Sequence, residues 1–289
     1  MTFKHSLAAL LVAFSCTRLL AAEPPASQPA VPDATTPPRR SAIAPALNDK
    51  GQPVFPTVEA ANARKISPVA IGVFPGMQLA SEQMDIIGFR LGLPWVRNWN
   101  MTGLDIAIGA SETLGEFSGL QLSGFFNGTG SDGAGLQVAG GVNQVTGDMT
   151  GFQISGLLNS ARNMDGVQLS IVNYTASSAA GFQIGLWDDA GDLIGLQLGG
   201  GNRATDSCGG QIGLWNGSVD ARGLQLGALN LADSATGCQI GVINVAGSMS
   251  GLQIGLWNDA QRMSGVQIGL ANHIGVSPVP FLPVMNVYF

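Results

Sequence analysis

Few side chains in this 289-residue chain have the types and the spacing needed for acid–base or nucleophilic chemistry. Beyond residue 22 there is one histidine, His273, and no recognisable serine or cysteine motif lies near it. A nucleophile needs a positioned base to activate it. Clustered acids of the kind that polysaccharide-cleaving β-helices use are also missing, because glutamate does not occur after Glu116. The sequence therefore predicts a protein that is not an enzyme, with a carbohydrate-binding or carbohydrate-active β-helix protein kept as an alternative.

Three aspartates are the candidates for a metal site. Asp192, Asp206 and Asp220 follow one another at 14-residue intervals. If each interval forms one coil stacked about 4.8 Å above the last, the carboxylates repel one another unless water solvates them or a cation bridges them. Such oxygen ligands suit Ca²⁺, although the strict Gly-Gly-x-Gly-x-Asp calcium repeat is absent. Two interpretations stay open: a calcium site, and exposed turn aspartates with no cofactor.

Three tryptophans are the candidates for ligand binding. Trp187, Trp215 and Trp257 each lie four residues after a Gln, so in stacked coils they would be roughly 10 and 14 Å apart. Exposed indole faces beside amide side chains stack on sugar rings or anchor protein partners. The column predicts a surface for an envelope glycan or for a host or partner protein, unless a neighbouring segment covers it.

Two cysteines lie beyond the first 22 residues, Cys208 and Cys238, 30 residues apart. Two stacked coils would separate them by about 9.6 Å along the axis, beyond the roughly 7 Å that a disulfide spans between Cα atoms. The spacing predicts free, buried thiols.

All these candidates are positioned by a repeat. A Gln marks each copy, the spacings between them are 16, 16, 15, 15 and then six times 14 residues, and Gly always stands two positions before the Gln. The markers are Gln121, Gln137, Gln153, Gln168, Gln183, Gln197, Gln211, Gln225, Gln239, Gln253 and Gln267. A fixed period of this kind dictates the architecture before any local propensity does.

Within each copy, apolar positions alternate with polar or small ones, which is typical of a half-buried strand. The residues after the Gln are aliphatic, and an Asn ends the phrase, as at Asn216 and Asn258. Hydrophobicity predicts that the aliphatic side chains and the Asn point inward, and that the Gln and Trp columns point outward. An Ala column (such as Ala204) and a Met-rich column (such as Met249) are expected to close the coil as apolar anchors.

The resulting prediction is an all-β protein, a parallel β-solenoid with coils of 14–16 residues. Like residues aligned in columns favour parallel stacking of coils. An antiparallel outer-membrane β-barrel, one repeat per strand, is the alternative, because the repeat alternates and the chain ends on Phe289 after Val287. A barrel alternates short and long connections, whereas the last six spacings are constant.

The flanking segments predict export. Residues 1–22 resemble a bacterial signal peptide, with Lys4 and His5 before a short apolar core and Ala21-Ala22 as the cleavage site. Lipoprotein processing at Cys16 is the alternative. Residues 23–66 contain nine of the fifteen prolines and predict a disordered linker. No later apolar run is long enough for a transmembrane helix.

Beyond the linker we expect an N-terminal cap of degenerate repeats (67–115), the regular solenoid (116–275) and a C-terminal cap (276–289). In the N-terminal cap Arg90 and Asp105 replace the Gln. At the other end Pro278, Pro280 and Pro283 interrupt the ladder, and the last residues are expected to fold over the final coil. The net charge of −6 and the scarcity of lysine give no sign of a nucleic-acid partner.

The Gly-x-Gln-Ile-Gly-x-x-Asn repeats, the Val73-Phe74-Pro75-Gly76 segment and the Phe281-Leu282-Pro283 ending resemble the leptospiral-type bacterial surface-repeat proteins, over residues 67–289. The resemblance implies export to the periplasm, outer membrane or surface of a Gram-negative-type cell, and implies no catalytic residue. We expect a non-catalytic scaffold or adhesion protein of the envelope, with a barrel as the second possibility.

Overall fold

The computed structural model describes residues 64–289, which consist of strands and turns without a helix. The predicted signal peptide, the lipidation candidate Cys16 and nearly all of the Pro-rich segment lie outside the described residues. No segment within residues 64–289 forms a helix that could cross a lipid bilayer.

Fifteen strands make up the described part of the chain. In order they are β1 (Ile66–Phe74), β2 (Met77–Gln78), β3 (Asp85–Gly92), β4 (Trp95–Asn98), β5 (Met101–Ala107), β6 (Ala110–Thr113), β7 (Phe117–Ser123), β8 (Phe126–Thr129), β9 (Gly133–Ala139), β10 (Val142–Val145), β11 (Asp148–Ser155), β12 (Leu158–Ala161), β13 (Asn163–Leu169), β14 (Val172–Ile274) and β15 (Phe281–Tyr288). The 103-residue β14 winds through the 14-residue coils without a break.

Each coil contributes one segment to each of two parallel faces. The odd-numbered strands from β1 to β13 stack in sequence as the long face, the even-numbered strands from β4 to β12 stack as the short face, and both continue into β14. Equal positions lie in register, as in Gln137↔Gln153 on the long face and Asn143↔Asn159 on the short face. The β-solenoid prediction is confirmed. Adjacent copies run parallel, so the antiparallel barrel alternative is not supported.

The interior is filled by amides, of which the Asn were predicted inside and the Gln outside. The Gln of every regular coil and the Asn of the short face are buried, whereas the aliphatic residues on either side of the Gln are partly or largely exposed. The alternation and the inward Asn column were predicted correctly, but the Gln and the aliphatic residues beside it were assigned to the wrong sides. Stacked identical amides satisfy one another's hydrogen bonds across coils, and this pairing removes the penalty that normally keeps such side chains outside.

The apolar residues that close each coil, where the short face ends and the next long face begins, are buried as predicted. Ala190, Ala204, Ala246 and Ala260 are buried in one column, and Met149, Leu193, Met249 and Met263 are buried in the other. They form small clusters such as Ala179, Ala190, Leu193 and Ala204. The hydrophobic core is therefore a narrow strip along one edge.

The Gly column lies within the strands of the long face. Gly223 has a φ of +126°, and a Cβ added there would lie 2.0 Å from the carbonyl oxygen of Gly209 in the coil before. Only glycine reaches this backbone region without strain. Each Gly thus allows the backbone of one coil to approach the next, all along the column.

The two ends of the solenoid are built from different interactions, an ion pair at one and an antiparallel strand at the other. At the N-terminal end, Arg90, Asp105 and Gln121 lie in register, and a buried ion pair of 2.7 Å between Arg90 and Asp105 takes the place of the first two amides. At the C-terminal end β15 runs antiparallel to the last coil of β14, pairing Phe281 with His273. The prediction that the last residues fold over the final coil is confirmed.

Candidate interaction surface

An apolar groove runs along the outside of the solenoid. In five of its six coils, the residue after the Gln forms one wall, the next residue is a Gly that forms the floor, and the third residue forms the other wall, while the first coil contributes only Leu198 and Gly199. The groove has a volume of about 1250 Å³ and is lined by Leu198, Gly199, Ile212, Gly213, Leu214, Leu226, Gly227, Ala228, Ile240, Gly241, Val242, Ile254, Gly255, Leu256, Ile268, Gly269, Leu270 and Val284. No charged or hydrogen-bonding side chain is in this lining. We call it the outer groove.

The third-residue wall of the outer groove stands out as a ridge. Leu214 and Leu270 are 72% and 71% exposed, and Leu186 continues the same row beyond the groove at 67%. Between them, Gly200 and Ala228 leave gaps on either side of Leu214. Monomeric proteins rarely leave a continuous apolar strip of this kind in water, and such strips mark interaction sites.

The tryptophan column does not have its predicted spacing. Trp187 and Trp215 stack on each other, with ring centroids 5.4 Å apart and ring planes at 10°, although their backbones are two coils apart. Gly201, the residue between them in the column, leaves the room, since a Cβ there would lie 2.5 Å from the Trp187 ring. Trp257 remains separate and 48% exposed. The structure therefore brings two of the three candidates together as a pair and leaves one indole accessible.

The aspartate column lies on the surface. Asp192 and Asp206 are exposed, and Asp220 is half-buried and accepts a hydrogen bond of 2.9 Å from Arg222. That carboxylate raises the pKa of the Arg222 guanidinium above its usual value. Within residues 64–289, no group of three acidic, histidine or cysteine side chains is arranged to hold a metal ion. Calcium binding by the three aspartates stays a prediction of the sequence.

His273 lies at the last coil, directly above Asp259. Its Nδ1 is 2.9 Å from Asp259 Oδ1, and its side chain is about one-third exposed. Neither a serine nor a cysteine side chain is among its hydrogen-bond partners in the described part of the chain. The arrangement is an ion pair between neighbouring coils when the ring is protonated.

The cysteines are free, as predicted, but their predicted burial is wrong. Cys208 is exposed and Cys238 is half-buried, because both occupy outward-facing columns of the long face. Partial burial raises the pKa of the Cys238 thiol.

Inside the solenoid the amides form two ladders that point in opposite directions. Each Gln donates through Nε2 to the Oε1 of the Gln one coil before, in ten successive bonds of 2.7–3.0 Å. Each Asn donates through Nδ2 to the next coil, as from Asn216 to Asn230 at 2.8 Å. The ends of the ladders carry the unpaired atoms, Gln121 Nε2, Asn127 Oδ1 and Gln267 Oε1.

Asp188 interrupts the Asn ladder. It occupies the Asn position and accepts a bond of 2.7 Å from Asn173, but a carboxylate has no hydrogen to pass on. Asp188 Oδ2 and Asn202 Oδ1 are both buried without a partner. Both atoms border the same space beside Gly199, since a Cβ added to Gly199 would lie 2.8 Å from Asp188 Oδ2 and 3.1 Å from Asn202 Oδ1. Desolvation raises the pKa of Asp188 to about 6, partly opposed by hydrogen bonds from Asn173 and the Gly185 backbone.

Sequence reasoning missed both the outer groove and Asp188. The groove was hidden because aliphatic columns were assigned to the interior. Asp188 was detectable, since Gly185-Leu186-Trp187-Asp188 repeats Gly213-Leu214-Trp215-Asn216 with one amide replaced by an acid.

Comparisons with protein-family models, with curated proteins and with solved structures find no match to this chain.

Proposed function

We propose that this protein is a non-catalytic interaction scaffold of the bacterial cell envelope that binds its partner through the outer groove. The observation that carries the proposal is the groove itself: an outward, uncharged strip of aliphatic side chains along six coils of a closed solenoid. Apolar strips of this length are retained where a partner covers them.

The interior supports a scaffold role. Amides paired from coil to coil leave little interior space for a substrate, and the described cavities open on the surface. Rigid, repetitive backbones present ligand groups at fixed intervals, and solenoids use this property to bind along an extended surface.

The sequence supports a location outside the cytoplasm. Residues 1–22 have the composition of a secretion signal, and a Pro-rich segment follows them. The similarity to leptospiral-type surface repeats points to the same compartment.

Protein partners are favoured over glycans. Sugar binding by aromatic side chains needs accessible ring faces, and Trp187 and Trp215 direct a face at each other. The outer groove also offers no side-chain hydrogen-bond donor or acceptor for sugar hydroxyls.

The test is envelope retention of the full chain, leader included, in a bacterial host. We expect the wild-type protein in the envelope fraction, and we expect Leu256→Asp to be released into the soluble periplasmic or secreted fraction. Val219→Asp is the matched control, because Val219 is an equally exposed apolar residue (50% against 55%) outside the groove. Cytoplasmic retention of the wild type, or equal envelope retention of all three proteins, would contradict the proposal. If envelope retention depends on Cys16 alone, a lipid anchor and not the outer groove holds the protein in the envelope.

A further inference from the structure

We propose that the outer groove is part of a dimer interface, in which two copies of this chain lie side by side with their ridges in contact. This inference deepens the proposed function by naming a second copy as the partner that covers the groove, so that envelope retention requires the dimer, and it rests on the groove being an interaction surface.

The repeat distance of the surface selects the partner. Along the groove, apolar side chains recur once per coil, about every 4.8 Å. A partner must present its own side chains with the same spacing to fill successive positions, and a helix, with a rise of about 5.4 Å per turn, falls out of step over six coils. A second copy of this chain carries the same repeat and therefore has the required spacing.

The shape of the surface is self-complementary. A two-fold axis perpendicular to the solenoid and passing through the ridge sets the ridges of two copies against each other. Large and small residues alternate in the middle of the ridge, with Gly200 and Ala228 on either side of the protruding Leu214. An axis passing between Leu214 and Ala228 sets each Leu214 over the gap at the partner's Ala228, which is how apolar layers interdigitate.

The charge distribution favours a second copy over a lipid surface. Surface-binding segments use Lys and Arg to reach anionic lipids, whereas residues 117–289 contain four Arg, no Lys and ten Asp. Near the ridge, the charges of the short face are paired, Arg203 with Asp189 at 3.4 Å and His273 with Asp259. Asp192, Asp206 and Asp220 lie six residues along the strand from the groove wall, about 20 Å away, which is beyond the screening length of about 8 Å at physiological salt.

The area is sufficient for a specific dimer. With the axis between Leu214 and Ala228, the two copies overlap over eight coils, the six of the groove and the two before it that carry the exposed Ile171 and Leu186. The overlap is about 38 Å long, across a strip about 16 Å wide. This corresponds to a projected area on the order of 600 Å² per partner, so the total clears the roughly 1,000 Å² of a biological interface at its low end. We therefore expect a dimer that dissociates on dilution.

The test is sedimentation velocity of the purified full-length protein over a wide range of concentration. The wild type is expected to shift from monomer to dimer as concentration rises. Leu214→Asp is expected to stay monomeric, and Ala228→Leu, which fills the gap with an apolar side chain, is expected to weaken the dimer as well. Val219→Asp is expected to dimerise like the wild type, and circular dichroism confirms that each variant is folded.

Ala228→Leu separates specific packing from general stickiness, because non-specific association would increase with the added apolar surface. A wild type that is monomeric at every concentration, or a dimer indifferent to Leu214→Asp, overturns the inference. Binding of the monomeric wild type to phosphatidylcholine vesicles, lost in Leu214→Asp, would overturn it in favour of a lipid partner. If envelope retention still depends on Leu256 while the protein is monomeric, the proposed function stands and the dimer fails.

Discussion

Asp188 is a single acid in a column of amides. Its neighbours in the column are Asn173, which donates to it, and Asn202, whose Oδ1 faces it without a partner. When Asp188 is protonated, its hydroxyl can donate to Asn202 Oδ1 and complete the ladder. When it is ionised, two buried oxygens face each other unpaired, at a penalty of about 1–3 kcal/mol for each unsatisfied group.

The pH dependence follows from the raised pKa. Asp188 titrates at about 6 in the folded protein and near 3.8 when unfolded, so the folded state holds the proton more tightly. Its contribution to stability is fully present below pH 3.8 and is lost as the pH rises to about 6, a change on the order of 3 kcal/mol.

We predict that Asp188→Asn removes this loss of stability at higher pH. The new Nδ2 donates to Asn202 Oδ1, so the variant should exceed the wild type in free energy of unfolding by about 1–3 kcal/mol above pH 6 and match it more closely below pH 3.8. Urea unfolding at the two pH values measures the difference. The exposed Asp192→Asn is the control for charge removal, and an equal effect of both substitutions would refute the explanation.

At the scale of residues, the sequence predicted which positions alternate and that the Asn point inward, but not that the Gln do. The rule that aliphatic side chains face the core failed at positions such as Leu214, which is exposed, beside the buried Gln211. The buried amides are stabilised because they bond to one another along the axis. Nothing in a single repeat reveals this, because the stabilising partner of each Gln is the same residue in another coil.

At the scale of the coil, the Gly column sets the distance between neighbours. Its members have φ between +123° and +147° in the coils from Gly103 to Gly265, a backbone shape that brings one chain against the next. The column was visible in the sequence, but its place within strands was not, since glycine is more commonly a turn residue.

We predict that Gly223→Ala destabilises the solenoid by about 3 kcal/mol or more, because strain at this φ adds to a backbone clash with Gly209. Gly76→Ala is the matched control: its φ is also positive, at +83°, but a Cβ there meets nothing within 4 Å. That substitution should cost about 1–2 kcal/mol. Denaturant midpoints compare the two, and similar values would show that steric contact between coils is unimportant.

At the scale of the whole molecule, the parallel stack leaves two open edges that must be covered. An unpaired edge offers its backbone groups to other chains and promotes aggregation. β15 covers the last coil, and Asn286, buried at the position of the next ladder member, donates to the Asn272 carbonyl oxygen at 3.5 Å. The prolines of this segment allowed the sequence to predict a cap, while its antiparallel direction could not be read from the repeat.

We predict that a chain ending at Gly275 aggregates, because removal of β15 exposes the edge of the final coil. Light scattering during refolding should show large particles for this truncation and none for the wild type. Deletion of Phe289 alone is the control, since that residue is 87% exposed. A truncated chain that stays dispersed would show that the cap does not protect the edge.

The opposed direction of the two amide ladders has a consequence for how such a protein can change in length. Each added 14-residue coil contributes one Gln amide dipole and one Asn amide dipole, which point in opposite directions along the axis. These dipoles oppose each other, so the ladders build up no net dipole as the solenoid becomes longer. Duplication or loss of a whole coil leaves the pairing within both ladders and the two ends of the solenoid unchanged. The number of coils, and with it the length of the solenoid, is therefore free to vary.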